Sequence, residues 1–235
     1  MRGTWAAGEI DLIDAPVAEG AVELQWLDAA LETGRRRTVL WQGVQGLVAP
    51  MSYRRYARLD SVREAFAADG WPVHLRRSGG GVVPQGPGIL NLTRVQAVDG
   101  APGDLASRLY ELLCGVLVRA LRDLGIEAAP RAVEGSFCDG RFNLAVGGRK
   151  IAGIAQYWRR GGGKQAVLAH ALLLVDADCV ELTARANAFE AALGSERRYC
   201  ADALTTMARE CRGLRTVDIV AALRERIVAR LAGAD

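Results

Sequence analysis

Lysine is almost missing from this chain: of thirty basic residues in 235, only Lys150 and Lys164 are lysine. Arginine is a fixed planar cation, whereas an ammonium is a compact point charge with three rotatable donors, so the two surviving lysines stand out as candidates for a role that arginine cannot fill. The five cysteines, Cys114, Cys138, Cys179, Cys200 and Cys211, are odd in number and lack CxxC spacing, which gives no disulfide framework. No window approaches the roughly 18 uninterrupted apolar residues of a membrane span. No stretch reads as a signal peptide, and no internal repeat or low-complexity linker is visible. A reduced, cytoplasmic protein without a membrane partner is expected.

Half of the residues are apolar, enough for one large domain with a real core. The net charge of +3 is small for this length. It gives no support for a nucleic-acid partner, which would show a basic cluster with interleaved aromatics.

Residues 1–20 contain Gly3, Gly8, Pro16 and Gly20 without sustained periodicity, and predict an irregular or short-strand lead-in. Val22, Leu24, Leu27, Ala30 and Leu31 suit a helix over 21–33, closed by Gly34. Arg35, Arg36 and Arg37 form a basic turn before a strand over 38–42, and 44–50 is a second apolar run. A helix over 56–69 ends at Gly70, and 71–77 alternates as a strand. The strongest helical pattern runs from Gly103 to Gly125, with Leu109, Leu113, Val116, Leu117 and Leu121 on one side and Cys114 packed among them. Residues 130–175 predict three strands, followed by helices over 182–193, 200–211 and 216–231.

Three stretches carry candidate chemistry. Gly147-Gly148 reads as a two-residue hairpin turn, which puts Lys150 at the start of the second strand, on a rigid mount. Gly79 to Gly81 lie between strands, where glycines let backbone approach a ligand closely or turn a sheet corner. The segment RRGGGKQ is no phosphate loop: Trp158 stands where the first glycine of that pattern belongs, and Gln165 replaces its Ser or Thr.

Taken in order, Arg76-Arg77-Ser78-Gly79-Gly80-Gly81, then Gly148-Arg149-Lys150-Ile151-Ala152-Gly153, then His170 in AVLAHALLLVDAD resemble the catalytic domain shared by lipoate-protein ligases and octanoyltransferases, relatives of biotin protein ligases. The resemblance covers roughly residues 20–200. It implies an α/β fold, a mixed β-sheet flanked by helices like the catalytic domain of class II aminoacyl-tRNA synthetases and biotin synthetases. The whole chain, 1–235, then reads as one such domain with a helical end over about 200–235 and no full accessory domain. The resemblance further implies an acyl tunnel beside the glycine loop, with Arg76 and Arg77 at its mouth and Ser78, Gly79, Gly80, Gly81, Gly153, Ala155 and His170 around the substrate. Lys150 would face the acyl carbonyl, where a cation stabilises developing negative charge. Asn143 would meet nucleotide or metal; no metal ligands can be assigned.

Departures from the family pattern bear on the reaction. Where many ligases carry a His-Asp pair, this chain has Gln85 and Gly86, and Gly86-Pro87-Gly88 is more like one type of octanoyltransferase. That type keeps its cysteine well beyond the histidine motif, at an interval that falls near Phe189 here. A second type carries it upstream in a CFD-like segment; Ser136-Phe137-Cys138-Asp139 is close, but a gapless count from Lys150 lands on Gly135. With neither position matched cleanly, the expectation is a lipoate-protein ligase. It would use ATP and Mg²⁺ to attach lipoate or octanoate to a lysine of lipoyl-domain proteins, such as 2-oxoacid dehydrogenase acyltransferase subunits or glycine cleavage H protein. The alternatives are an octanoyltransferase drawing on acyl carrier protein, with Cys138 as a thioester site activated by Lys150, or a non-catalytic lipoate-binding relative. An accessory subunit is a further partner considered.

Overall fold

A computed structural model describes residues 10–17, 21–99, 103–138, 140–161, 163–211 and 216–232. The lead-in glycines Gly3, Gly8 and Gly20, together with Asp139 and Gly162, lie outside these. In chain order the elements are β1 (Ile10–Val17), α1 (Ala21–Thr33), β2 (Arg37–Gly43), β3 (Gly46–Pro50), α2 (Leu59–Ala68), β4 (Val73–Arg76), β5 (Val83–Gln85) and β6 (Ile89–Val98). They continue with α3 (Gly103–Arg122), β7 (Ala129–Pro130), β8 (Leu144–Val146), β9 (Arg149–Gly161), β10 (Lys164–Leu174), α4 (Cys179–Ala192), α5 (Met207–Glu210) and α6 (Thr216–Ala232). Seven strands form one mixed sheet in the order β1-β2-β6-β10-β9-β8-β7, and β4-β3-β5 form a second, small sheet.

Strand β10 is the axis of the large sheet, paired antiparallel to β6 on one side and β9 on the other. Its alternation sorts the core, because successive strand side chains point to opposite faces. Val167, Ala169, Ala171 and Leu173 pack into the cluster built with Leu113, Leu117 and Leu121 of α3 and Leu223 and Ile227 of α6. Leu168 instead joins Trp26, Leu27 and Ala30 of α1, while Leu172 and Leu174 join the cluster under the small sheet and α4. Between those two groups, on the same face of β10, His170 is only partly buried, and a cavity opens there.

Local signals explain most boundaries. Gly34 closes α1 at φ 71° and Gly70 follows α2 at φ 76°, left-handed conformations that cost glycine little. Gly147 and Gly148 have φ 55° and 82°, as a type I′ turn demands.

One expectation is sharpened, since of the irregular and short-strand readings of the lead-in the strand is what stands at residues 10–17, and one is corrected. The lead-in contains an eight-residue strand, β1, paired in parallel with β2 from Ile10↔Thr38 onward; alternation in IDLI is too brief to stand out in sequence. Residues 200–211 are not one helix: a 3₁₀ turn at Ala201–Ala203 and the four-residue α5 flank an extended stretch, where the Thr205 amide donates to the Lys150 carbonyl at 2.9 Å. Apolar residues there serve a third strand-like contact instead of a helix face, with Leu204 bridged to Lys150. The segment RRGGGKQ lies across the β9–β10 hairpin. Among the described residues, no helix is long and apolar enough to cross a membrane.

Candidate active site

A cavity of about 410 Å³ lies where β9, β10, the glycine loop and the segment before β8 converge. Its apolar lining comes from Val83, Ile154, Leu168, Leu172 and Leu174, and its polar lining includes Glu23, Cys138, Asn143, Lys150, Gln156 and His170. Mostly apolar walls with a few convergent polar groups are the usual make-up of a small-molecule site of this size.

Lys150 is 5% exposed despite opening a strand. Its ammonium donates to the carbonyls of Phe137 and Cys138, the latter at 3.2 Å. Gly153 makes room for it: a Cβ there would stand 2.8 Å from Nζ and 2.9 Å from Cε. Gly153, expected around the substrate, therefore shapes the site by yielding space to the lysine.

Cys138 is the one described non-glycine residue with positive φ, at 54°. Such a conformation costs on the order of 1–3 kcal/mol and persists where surroundings over-determine it. Here its carbonyl accepts from Asn143 Nδ2 at 2.7 Å as well as from Lys150. The twist turns the thiol toward the glycine loop, where Sγ accepts from the Gly81 amide at 3.2 Å and faces Arg76 Nη2 at 3.6 Å. Gly135, where the gapless count fell, packs instead against Cys200 and Ala203.

The expected substrate residues divide. Ser78, Gly79, Gly80, Gly81, Asn143, Gly153, Ala155 and His170 all line the cavity. Arg76 lines it too, but its guanidinium is committed to the loop, donating to the carbonyls of Val48 at 2.6 Å, Gly79 at 3.0 Å and Gly81 at 2.7 Å. Arg77 is exposed and not among the lining residues; it stands just past the end of β4, where the chain bends into the glycine loop. Asn143 braces the Cys138 backbone. Gln85 is buried in a reciprocal amide pair with Asn91, at 3.0 and 3.1 Å. The GPG turn is structural, since the Gly88 carbonyl accepts from the amides of Val175 and Asp176 and a Cβ at Gly88 would strike the Asp176 backbone.

Glu23, Tyr110, Gln156 and Arg197 also line the cavity and were not anticipated. Glu23 comes from α1, four positions before the fully buried Leu27; a carboxylate on the apolar face of a helix is the signal that could have found it. Its Oε1 meets His170 Nδ1 at 2.8 Å and accepts from the Thr93 hydroxyl, which itself accepts from Trp41 Nε1 at 3.0 Å. Burial pushes Glu23 upward, but His170, Thr93 and Arg76 together hold it below the ordinary carboxylate value.

The sign follows. A lowered folded value means that Glu23 stabilises the fold above its unfolded value of about 4.3, and that this contribution is lost as pH falls through the folded value. Glu23→Ala should cost about 3 kcal/mol at pH 7, as expected for stranding one partner of a buried pair. In thermal melts the gap to the parent protein should close below about pH 4. A second prediction concerns Gly80, at φ 105° with no room for a Cβ beside Cys138 Sγ. Gly80→Ala must move the loop or the thiol, so any reaction at that sulfur should slow at least about tenfold while the melting temperature falls by only a few degrees.

A family description for the lipoyl protein ligase A/B catalytic domain matches residues 52–228. The chain belongs to this family. An uncharacterized protein of Cupriavidus necator is 51% identical over 189 residues, covering 75% of this chain and 74% of that one. An octanoyl-GcvH:protein N-octanoyltransferase of Kyrpidia tusciae is 37% identical over 145 residues, or 59% of this chain; the match spans about half, 50%, of that enzyme's length. Among solved structures, lipoate-protein ligase A bound with ATP superposes with a TM-score of 0.67 at 19% identity, covering 95% of this chain and 85% of that one. The bi-partite lipoate protein ligase of Thermoplasma acidophilum gives 0.64 at 21%, covering 96% and 84%. The expected α/β class, a mixed sheet flanked by helices, is the fold these structures share with the family member described here.

Proposed function

We propose that this acyl-protein ligase/transferase family member is an acyltransferase that carries an octanoyl or lipoyl group through a thioester on Cys138 to a lysine of a lipoyl-domain protein. The observation that carries the reading is the strained Cys138, whose sulfur sits on the Gly81 amide while its carbonyl rests on Lys150. The names of the transferase relatives supply the donor class, an octanoylated GcvH protein. In the first half-reaction the thiolate attacks the donor carbonyl, the C–N bond to the donor lysine breaks, and that amine leaves with a proton. In the second, the neutral amine of the acceptor lysine attacks the thioester, a new amide forms, and the thiolate is released. Lys150 places positive charge beside the carbon that changes hands, and the Gly81 amide donating to the sulfur favours the thiolate. One amide is exchanged for another, so the overall step needs no nucleotide to drive it.

This differs from the ligase expected from sequence. Of the cations lining the cavity, Arg76 is bonded to three carbonyls and Lys150 to two, which leaves Arg197 to meet a phosphate. Gln85, standing where many ligases place a His-Asp pair, is paired with Asn91 inside the core.

The test is a transfer assay with an apo lipoyl domain as acceptor and three alternative donors: octanoyl-GcvH, octanoyl-acyl carrier protein, and free octanoate or lipoate with ATP and magnesium. Octanoylated acceptor is expected from octanoyl-GcvH without ATP. Product formed only from the free acid with ATP, with pyrophosphate released, would return the protein to the ligases.

A further inference from the structure

The donor on Cys138 is a glycine amide, and glycine torsions rotate at little cost. Something outside the loop must therefore aim the Gly81 N–H. Arg76 holds the Gly79 carbonyl and, at Gly81, the carbonyl half of the Gly81–Val82 peptide, which leaves the N–H half of that peptide to be fixed. Its amide, Val82 N–H, donates to the Tyr199 hydroxyl at 3.2 Å. The same hydroxyl closes the space above Gly81, since a Cβ on that glycine would collide with it.

Tyr199 is itself held on every side. Its hydroxyl donates to Glu190 Oε1 at 2.9 Å, and Glu190 is fully buried and also accepts from Tyr53 at 2.5 Å. Asn187 grips the Tyr199 backbone from both ends, at 2.8 and 2.9 Å. The ring lies 5.1 Å from that of Phe137, the residue before the nucleophile. Burial and the Glu190 carboxylate push the Tyr199 hydroxyl well above the ordinary phenol value, so it stays protonated and can donate to Glu190 while accepting from Val82.

We propose that Tyr199 is a positioning residue for acyl transfer: anchored on Glu190, its hydroxyl holds the Val82 N–H and closes over Gly81, so that the preceding Gly80–Gly81 peptide keeps its N–H on Cys138 Sγ. The inference rests on Cys138 as the nucleophile. It assigns a role to the buried Glu190 of α4 and to Tyr199 in the segment after it.

Tyr199→Phe keeps the ring against Phe137 and removes the hydroxyl. With octanoyl-GcvH as donor, single-turnover acylation of Cys138 should slow at least about tenfold while the KM for donor stays within about twofold, because the aim of a donor at the reacting sulfur is lost and not a substrate contact. Tyr53→Phe is the control. It takes a bond from the same buried carboxylate and should lower the melting temperature comparably, but it does not reach the loop and should leave acylation unchanged. Equal slowing in both variants, or unchanged acylation in Tyr199→Phe, would overturn the assignment. In the parent protein, hydrogen exchange should find the Val82 amide protected although Gly79 and Gly80 beside it are exposed; fast exchange there would overturn it even if Tyr199→Phe failed to fold. A parent protein that forms no acyl adduct at all would instead count against Cys138, which keeps the two failures distinct.

Discussion

Cys138→Ser should lose transfer activity by a factor on the order of 10³ or more while the protein remains folded, because a serine hydroxyl is a far weaker nucleophile than a thiol and is hardly ionised near neutral pH. The companion variant is more telling. Cys138→Gly removes the nucleophile but suits φ 54°, a conformation that strains any residue with a side chain. It should therefore be as stable as the parent protein or slightly more so, and equally inactive. A residue whose replacement improves the fold and destroys the chemistry is retained for the chemistry; thermal melts and transfer rates on the same preparation decide it.

The second large effect is expected at Lys150. Lys150→Ala removes the cation that the proposed transfer places beside the acyl carbonyl and leaves the Phe137 and Cys138 carbonyls short of a donor. The first loss should slow transfer about 10²–10³-fold. The second should cost about 1–3 kcal/mol of stability, the penalty for a buried acceptor left unsatisfied. Lys150→Arg should not rescue activity. Nζ already stands within 2.8 Å of where a Cβ on Gly153 would be, and a planar guanidinium needs more room than a rotatable ammonium. Activity in the arginine variant above about a tenth of the parent's would mean that charge alone matters and that the fit against Gly153 does not.

Much of this arrangement could be read from the residues. Helical spacing in α3, the glycine that ends α1 and the Gly147-Gly148 turn are local signals, and local physics fixes them. The lysine mounted on the β9 start and the glycine loop also followed from short motifs. What stayed hidden depends on contacts between distant segments. Cys138 and Gly81 are 57 residues apart, and no count along the chain shows that a positive φ turns that sulfur onto that amide. Arg76 looked like a substrate contact because its partners, the carbonyls of Val48, Gly79 and Gly81, are backbone atoms without a sequence signature. Glu23 and Glu190 were legible in principle: each is a carboxylate on the buried side of its helix, and burying a charge without partners is too costly to be incidental.

The central claim is that the acyl group rests on Cys138 between donor and acceptor. The most direct measurement is the intact mass of the parent protein after brief exposure to octanoyl-GcvH, with no ATP and no acceptor. A mass gain of one octanoyl group, mapped to the peptide containing Cys138 and removed by hydroxylamine, is the predicted result. An unmodified Cys138 under conditions in which the acceptor, once added, becomes octanoylated would contradict it.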